Sequence, residues 1–501
     1  MRVPGKRLRR SRTPNDLLLD VVYHNVIYWG IHLDFGWISL QTGLPGPLTE
    51  SLICVNSTTP FIAFHTTMGR EDGAACTIQP RRCLRHAKAR CDSAEAHILE
   101  TMLRITEPVT EPRPTADLGL PVLRLGFRPF YLSGALFGFI AITLWLIALR
   151  GHAIAGSSPA MNGVLWHAHE MIFGFVAAIV VGFLLTAVRA WTTLETPRGA
   201  PLAGLWLLWL AGRVLVWSGP EPIAAIVDCA FLPVVAIVLL RVLITARNRH
   251  NIFLPVALGF FGLLNVGFHW WAWQERPDLA IRASYAAIGL AVMFVTVISG
   301  RVVPMFTTNA IPGFRMTHWK VIERLAVPTV ILAFIANATD AAPWFVVVCA
   351  CAAATVHGIR IAGWHSWRIG PRPILWILHV AYAWIPIGFA LLALAAAGAV
   401  PHSLAIHALT IGAIGCAIIA MITRTALGHT GRPLVAGRAE IASYWLMIVA
   451  AIVRVFGPWF ASGATAVWID IAGICWSAAL IVYLVKYVPY LSASRIDGKA
   501  G

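Results

Sequence analysis

The sequence predicts an all-α membrane protein with about twelve transmembrane helices. Three observations carry that prediction. Of 501 residues, 58% are hydrophobic and 12% charged, against about 45–50% and about 25% in soluble globular chains. The mean hydropathy is +0.72. From Pro121 onward, apolar stretches long enough to cross a bilayer follow one another with short breaks. So little charge cannot coat a soluble surface of this size. A soluble enzyme, a disordered chain and a disulfide scaffold are excluded. The nine cysteines form no C-x-x-C spacing. Cys229, Cys349, Cys351, Cys416 and Cys475 lie in apolar stretches and read as small core hydrophobes.

Residues 1–117 differ from the rest. They hold 14 Lys/Arg and 12 Asp/Glu, with no long apolar run. The arm Met1–Arg12 is basic, but no signal-peptide core follows it. Cys76, Cys83 and Cys91 lack the tight spacing of a metal knuckle. This region reads as an N-terminal extension, either poorly ordered or translated from upstream of the true start. A small cytoplasmic domain is the alternative. Residues 118–490 form the polytopic domain, and 491–501 a short cytoplasmic tail.

The spans read in order as 128–149, 163–188, 201–218, 223–245, 252–273, 280–303, 321–338, 343–362, 373–398, 402–424, 440–461 and 465–488. The net charge of +16 follows from their loops. Arg124 and Arg128 precede the first span. Arg189 and Arg198, Arg247 and Arg249, Arg301, Arg315 and Lys320, Arg368 and Arg372, and Arg424, Arg432 and Arg438 follow the even-numbered spans. The odd-numbered loops carry only Arg150, Arg276 and Arg282. Both termini of this multi-pass protein therefore face the cytoplasm, with the odd-numbered loops outside. The positive charge serves the lipid bilayer, and no nucleic-acid partner is expected.

Three segments look alike. They are His169-Glu-Met-Ile-Phe-Gly174, Ser284-Tyr-Ala-Ala-Ile-Gly289 and His407-Ala-Leu-Thr-Ile-Gly412, each running on to an arginine (Arg189, Arg301, Arg424). They belong to spans 2, 6 and 10. One reading is three quasi-repeats of four helices, the architecture of the haem–copper oxidase catalytic subunit. The other is likeness through composition and positive-inside arginines. Architecture alone does not license function.

Ionisable side chains inside a bilayer are costly and mark candidate sites. With this orientation, His167, His169, His269, His402 and His407 all lie in the outer third. Neutral imidazole is the commonest ligand of transition metals and haem iron. The alternative for each is a histidine hydrogen-bonded to a neighbouring helix. Residues two apart point about 200° apart on a helix. His167 and His169 therefore serve two neighbouring sites, or one ligates while the other orients. Glu170 lies three residues after His167, on the same face. It reads as an outer hydrogen-bond acceptor or proton relay, or as a helix N-terminal acid. On the inner side lie His379, Arg301 and Arg424, the arginines as anchors or as propionate or anion contacts. Met305 reads as packing rather than as a soft copper ligand.

Four motifs together resemble the NnrS family. They are Leu125-Gly-Phe-Arg-Pro-Phe130, Trp166-His-Ala-His-Glu-Met171, Gly300-Arg-Val-Val-Pro-Met-Phe-Thr307 and Thr423-Arg-Thr-Ala-Leu-Gly-His-Thr-Gly-Arg-Pro433. The resemblance covers about residues 118–490, and the N-terminal part departs from it. It implies haem b and copper as cofactors, nitric oxide as the small-molecule ligand, and a role in nitrosative stress and denitrification. It places His167, His169 and His407 first among the ligands, then His269, His379 and His402, with Glu170, Arg301 and Arg424 in support. No residue receives a catalytic role, and the electron donor is unidentified.

Two other functions compete. A haem–copper type nitric oxide reductase or oxidase lacks support from an adjacent His-His pair, which this sequence does not contain. A transporter of metal or small molecules is expected to show two related halves with ligands at mid-membrane. Here three blocks and off-centre ligands are read.

Overall fold

A computed structural model describes residues 119–152, 161 and 163–499, with the backbone of three short strands nearer the N-terminus. Those strands are β1 (Ile38–Leu40), β2 (Ser51–Cys54) and β3 (Ala63–His65), paired antiparallel in the order β1-β2-β3. Ile53 stands opposite Ile38 on one side and Phe64 on the other. The rest of the 1–117 extension lies outside the described residues. So does its expected disorder.

Among the described residues, twelve helices are long and apolar enough to cross a membrane. They are α1 (Phe127–Leu149), α2 (Gly163–Thr192), α3 (Ala200–Ser218), α4 (Glu221–Thr245), α5 (Phe253–Trp273) and α6 (Pro277–Ala310). They continue as α7 (Lys320–Ala338), α8 (Pro343–Gly363), α9 (Pro373–Ala396), α10 (His402–His429), α11 (Arg438–Phe460) and α12 (Thr465–Ser492). Proline opens α3, α4, α6, α8 and α9 within their first two positions, where no backbone donor is lost. Several helices outrun their apolar stretch. The sixth was expected over 280–303 and spans Pro277–Ala310; the tenth was expected over 402–424 and reaches His429. Hydropathy marks the lipid-facing stretch. Backbone bonding carries the helix past that stretch, as Ile311 N donates to Thr307 O at 3.0 Å at the end of α6.

Each helix packs on the next in sequence, and α12 closes the ring on α1. Within the ring α6 touches both α2 and α10. The most enclosed span segments belong to α2 (78% buried) and α10 (72%), then α9 and α6; α1 has 22%. The segments read as repeats therefore lie inside the bundle, joined by α9. Of the five membrane cysteines, Cys349 and Cys416 are buried, but Cys351 faces outward from α8.

One expectation needs correction at the start of the helical unit. Arg128 was read as a loop anchor. It lies inside α1, fully buried, and donates to Leu491 O at 2.9 Å and Ala493 O at 2.7 Å. It thereby satisfies carbonyls that end α12. The described part of the 491–501 tail is held by hydrogen bonds to the bundle. Ser494 accepts from Arg124, Ile496 N donates to Thr430 O, and Arg495 donates to His429 O. Arg495 also holds the Asp497 carboxyl below the usual carboxylate range by hydrogen bonding.

Candidate functional site

The opening turns of α2 set the site. His167 and His169 project from opposite faces, as their spacing requires. The His167 ring stacks on Trp145 of α1, with centroids 4.7 Å apart and planes 16° apart. His169 points to α5, with its ring 4.8 Å from that of His269 and 5.0 Å from Phe268. Immediately after His169, the helix widens into a π-helical segment, Glu170–Val176. α10 does the same after His407, over Ala408–Gly415. Such wide turns concentrate at functional sites. In both, the glycine five residues on admits a neighbouring ring. A Cβ on Gly174 would lie 2.7 Å from Phe137, and one on Gly412 only 2.4 Å from Trp384. The third segment, in α6, stays α-helical. The likeness read in the sequence thus has a backbone counterpart in α2 and α10.

On one face of α2 lies a buried polar cluster. His169 Nδ1 is 2.8 Å from Glu170 Oε1, and its Nε2 is 2.9 Å from Asn265 Oδ1 and 3.2 Å from Asp228 Oδ2. His269 Nε2 is 3.0 Å from the same Asp228 oxygen, and Asn265 Nδ2 donates to it at 2.7 Å. Arg213 joins the two carboxylates. It donates to Glu170 Oε1 at 2.6 Å and pairs with Asp228 Oδ1. All six side chains are buried. The helices are shaped for this. Asn265 and His269 lie one turn apart on α5, and Gly212 lets α3 approach the Asp228 backbone, where a Cβ would meet Cα at 3.2 Å. His169, Asp228 and His269 offer three ligand atoms within 4.8 Å of one another.

On the other face of α2 lies a cavity of about 340 Å³. Its histidines are His167, His402 and His407, and Arg454 of α11 lines it too. Most of its remaining wall is aliphatic or aromatic, including Trp145, Tyr285 and Trp476. The volume falls within the range of small-molecule pockets, about 300–1,000 Å³. His167 Nδ1 is buried without a hydrogen-bond partner among the described residues. His407 Nδ1 lies 2.7 Å from Ser403 O, one turn back. That contact makes Nδ1 the donor and leaves Nε2 with its lone pair. His402 Nε2 donates to Asn337 Oδ1 at 2.8 Å. Arg454 makes no hydrogen bond or ion pair among the described residues.

The histidines therefore do not converge on one place, as the shared depth suggested. His169 and His269 join the polar cluster; His167, His402 and His407 line the cavity. Glu170 stands with His169 rather than with His167, because Arg213 and the widened helix draw it to that side. His379 is elsewhere, 2.8 Å from Ser366 Oγ and 3.2 Å from Thr307 Oγ1. Arg301 donates to Asn251 Oδ1 at 2.7 Å, and Arg424 lies over the Phe306 ring at 3.7 Å. Neither approaches the two sites. Arg424 is seventeen residues along α10 from His407, roughly 25 Å of helix. Met305 is exposed. Arg213, Asp228, Asn265 and Arg454 were not singled out in the sequence. Their signal was the one used for the histidines, a polar residue inside an apolar span.

A family model described as NnrS protein matches residues 121–495, which include all twelve helices. No curated protein matches the chain.

Proposed function

The chain belongs to the NnrS family, and on that premise we propose that it is a multi-pass protein of the bacterial inner membrane, with both termini cytoplasmic, that binds haem b and copper and handles nitric oxide under nitrosative stress. The haem belongs in the cavity between α2, α10 and α11. One observation carries this reading. Two imidazoles from different helices line one largely apolar cavity, and each has a ring nitrogen left without a partner among the described residues.

The donor set fits. His407 is held as the Nδ1–H tautomer by Ser403 O, so Nε2 is the ligating atom. His167 is fixed in plane by Trp145, and its Nδ1 has no acceptor or donor among the described residues. Arg454 supplies positive charge in an apolar wall, where a carboxylate of the cofactor would meet it. The largely apolar lining favours a small neutral ligand over ions. Haem iron supplies, when bound, a metal that takes nitric oxide. Copper needs nitrogen donors outside this cavity, and His169 and His269 are the histidines available beside it.

The test is the visible spectrum of the detergent-purified protein, oxidised, reduced with dithionite and exposed to nitric oxide, with iron and copper measured by mass spectrometry. A b-type spectrum that nitric oxide shifts is expected. A folded, colourless and iron-free protein overturns the reading.

A further inference from the structure

Resting on the reading that His169 and His269 hold copper, we infer that Asp228 completes their site, so that the three form a buried place for one divalent first-row metal ion, separate from the cavity and closed by a carboxylate that no sequence motif marks. Three features of the cluster lead there. The first is charge. Glu170 and Asp228 bring two carboxylates into a buried place where Arg213 is the single guanidinium. With neutral imidazoles the cluster is left one negative charge in excess, which burial makes costly and which a cation, either a metal ion or a second proton on a ring, offsets.

The second is donor arithmetic at His169. Its Nδ1 faces a carboxylate oxygen, and its Nε2 faces an amide oxygen and a second carboxylate oxygen. Turning the Asn265 amide does not help, because its Nδ2 already donates to Asp228 Oδ2. A neutral imidazole has one N–H. If Nδ1–H donates to Glu170, the Nε2 lone pair is directed at oxygens. A cation between them removes that conflict. A histidine giving Nδ1–H to a carboxylate while Nε2 ligates is the usual outer arrangement of metal-bound imidazole.

The third is spacing. Asp228 Oδ2 stands 3.2 Å from His169 Nε2 and 3.0 Å from His269 Nε2. Ligands about 2.0–2.1 Å from one ion at tetrahedral angles are separated by about 3.3 Å. Two imidazoles and a carboxylate suit Zn²⁺, Cu²⁺ or Fe²⁺ rather than Mg²⁺ or Ca²⁺. Arg213 holds Asp228 by its other oxygen, so Oδ2 remains directed at the two rings.

The test needs no activity and does not depend on haem. The full chain is purified in detergent, stripped with chelator and titrated with Co²⁺. Wild type is expected to bind one Co²⁺ per chain, with visible d–d bands of a nitrogen–oxygen site. Asp228→Ala and His269→Ala are expected to lose at least tenfold in Co²⁺ affinity, whereas His167→Ala keeps it. X-ray absorption of the wild-type protein loaded with Zn²⁺ covers the case in which the variants do not fold. Two imidazoles and an oxygen at about 2.0–2.1 Å are expected. A sulfur shell at about 2.3 Å, Co²⁺ binding unchanged in both variants, or a folded wild type that takes up no Co²⁺ overturns the proposal. The last result leaves a second proton on His169 as the neutralising cation. Loss of haem with Co²⁺ binding intact counts against the cavity reading alone.

Discussion

Arg213 is the residue on which both carboxylates depend. It holds Glu170 through one nitrogen and Asp228 through the other, with all three buried. Removing one member of a buried ion group costs about 3–5 kcal/mol, because the partner charge stays in place. Arg213→Met is therefore expected to lower the apparent Tm in detergent strongly. Arg213→Met with Asp228→Asn is expected to lower it less, since the second change removes a stranded charge. If the double variant melts below the single, the carboxylate is not what Arg213 neutralises. At the cavity, His407→Ala is expected to abolish or reshape the reduced haem spectrum. His379→Ala is expected to leave it unchanged, because His379 bonds to Ser366 and Thr307 away from both sites. An equal effect of the two changes would remove the reason for placing haem at His407. The histidines were legible in the sequence because imidazole stands out in an apolar span. Asp228 was not. One carboxylate in the apolar interior of a 25-residue helix that opens on Glu221 passes as a tolerated exception until α3 brings Arg213 against it. That pairing depends on tertiary register, which hydropathy does not encode.

At the scale of the element, the widened turns of α2 and α10 explain how paired sites arise from similar sequence. Each follows a histidine directly, and each has its glycine under an aromatic ring from a preceding helix. The glycines were visible in the sequence, as was the likeness of the segments. The π-helical backbone was not, because it is a change of hydrogen-bond register with no residue type of its own. Helix existence was legible throughout, since twenty apolar residues are a direct physical requirement of the bilayer. Helix ends were less so, because backbone bonding continues past the apolar stretch. The close approach yields a paired prediction. Gly412→Ala places a methyl 2.4 Å from Trp384 and is expected to cost about 1–3 kcal/mol, as overpacking does. Gly259→Ala, with nothing within 4 Å of the new Cβ, is expected to be neutral or to gain up to about 1 kcal/mol of helix propensity. Thermal unfolding of both variants in one detergent checks this. Equal shifts would mean that α9 and α10 are not packed ring-on-glycine.

For the whole molecule, twelve spans return the chain to the side on which the first began, so the ends of the bundle share one face. That face carries Arg198, Arg247, Arg249, Arg315, Lys320, Arg368, Arg372, Arg432, Arg438, Arg495 and Lys499. The opposite face has Arg150, Arg276 and Arg282, and each has an aspartate. Arg150 pairs with Asp470, Arg276 with Asp278 at 3.0 Å, and Arg282 with Asp340 at 2.8 Å. Orientation follows the distribution of Lys and Arg rather than net charge, so the pairs do not set it. They show that the exceptions are local contacts at loop ends and not a competing anchor. The asymmetry makes a definite prediction. A fluorescent protein fused after Gly501 is expected to fluoresce, because that fusion folds only in the cytoplasm. Alkaline phosphatase at the same position is expected to be inactive, whereas phosphatase fused after His152 is expected to be active. The reverse pattern would turn the molecule over. The His167 cavity and the Asp228 cluster, both at the end where α2 begins, would then face the cytoplasm, and nitric oxide and metal would reach them from that side.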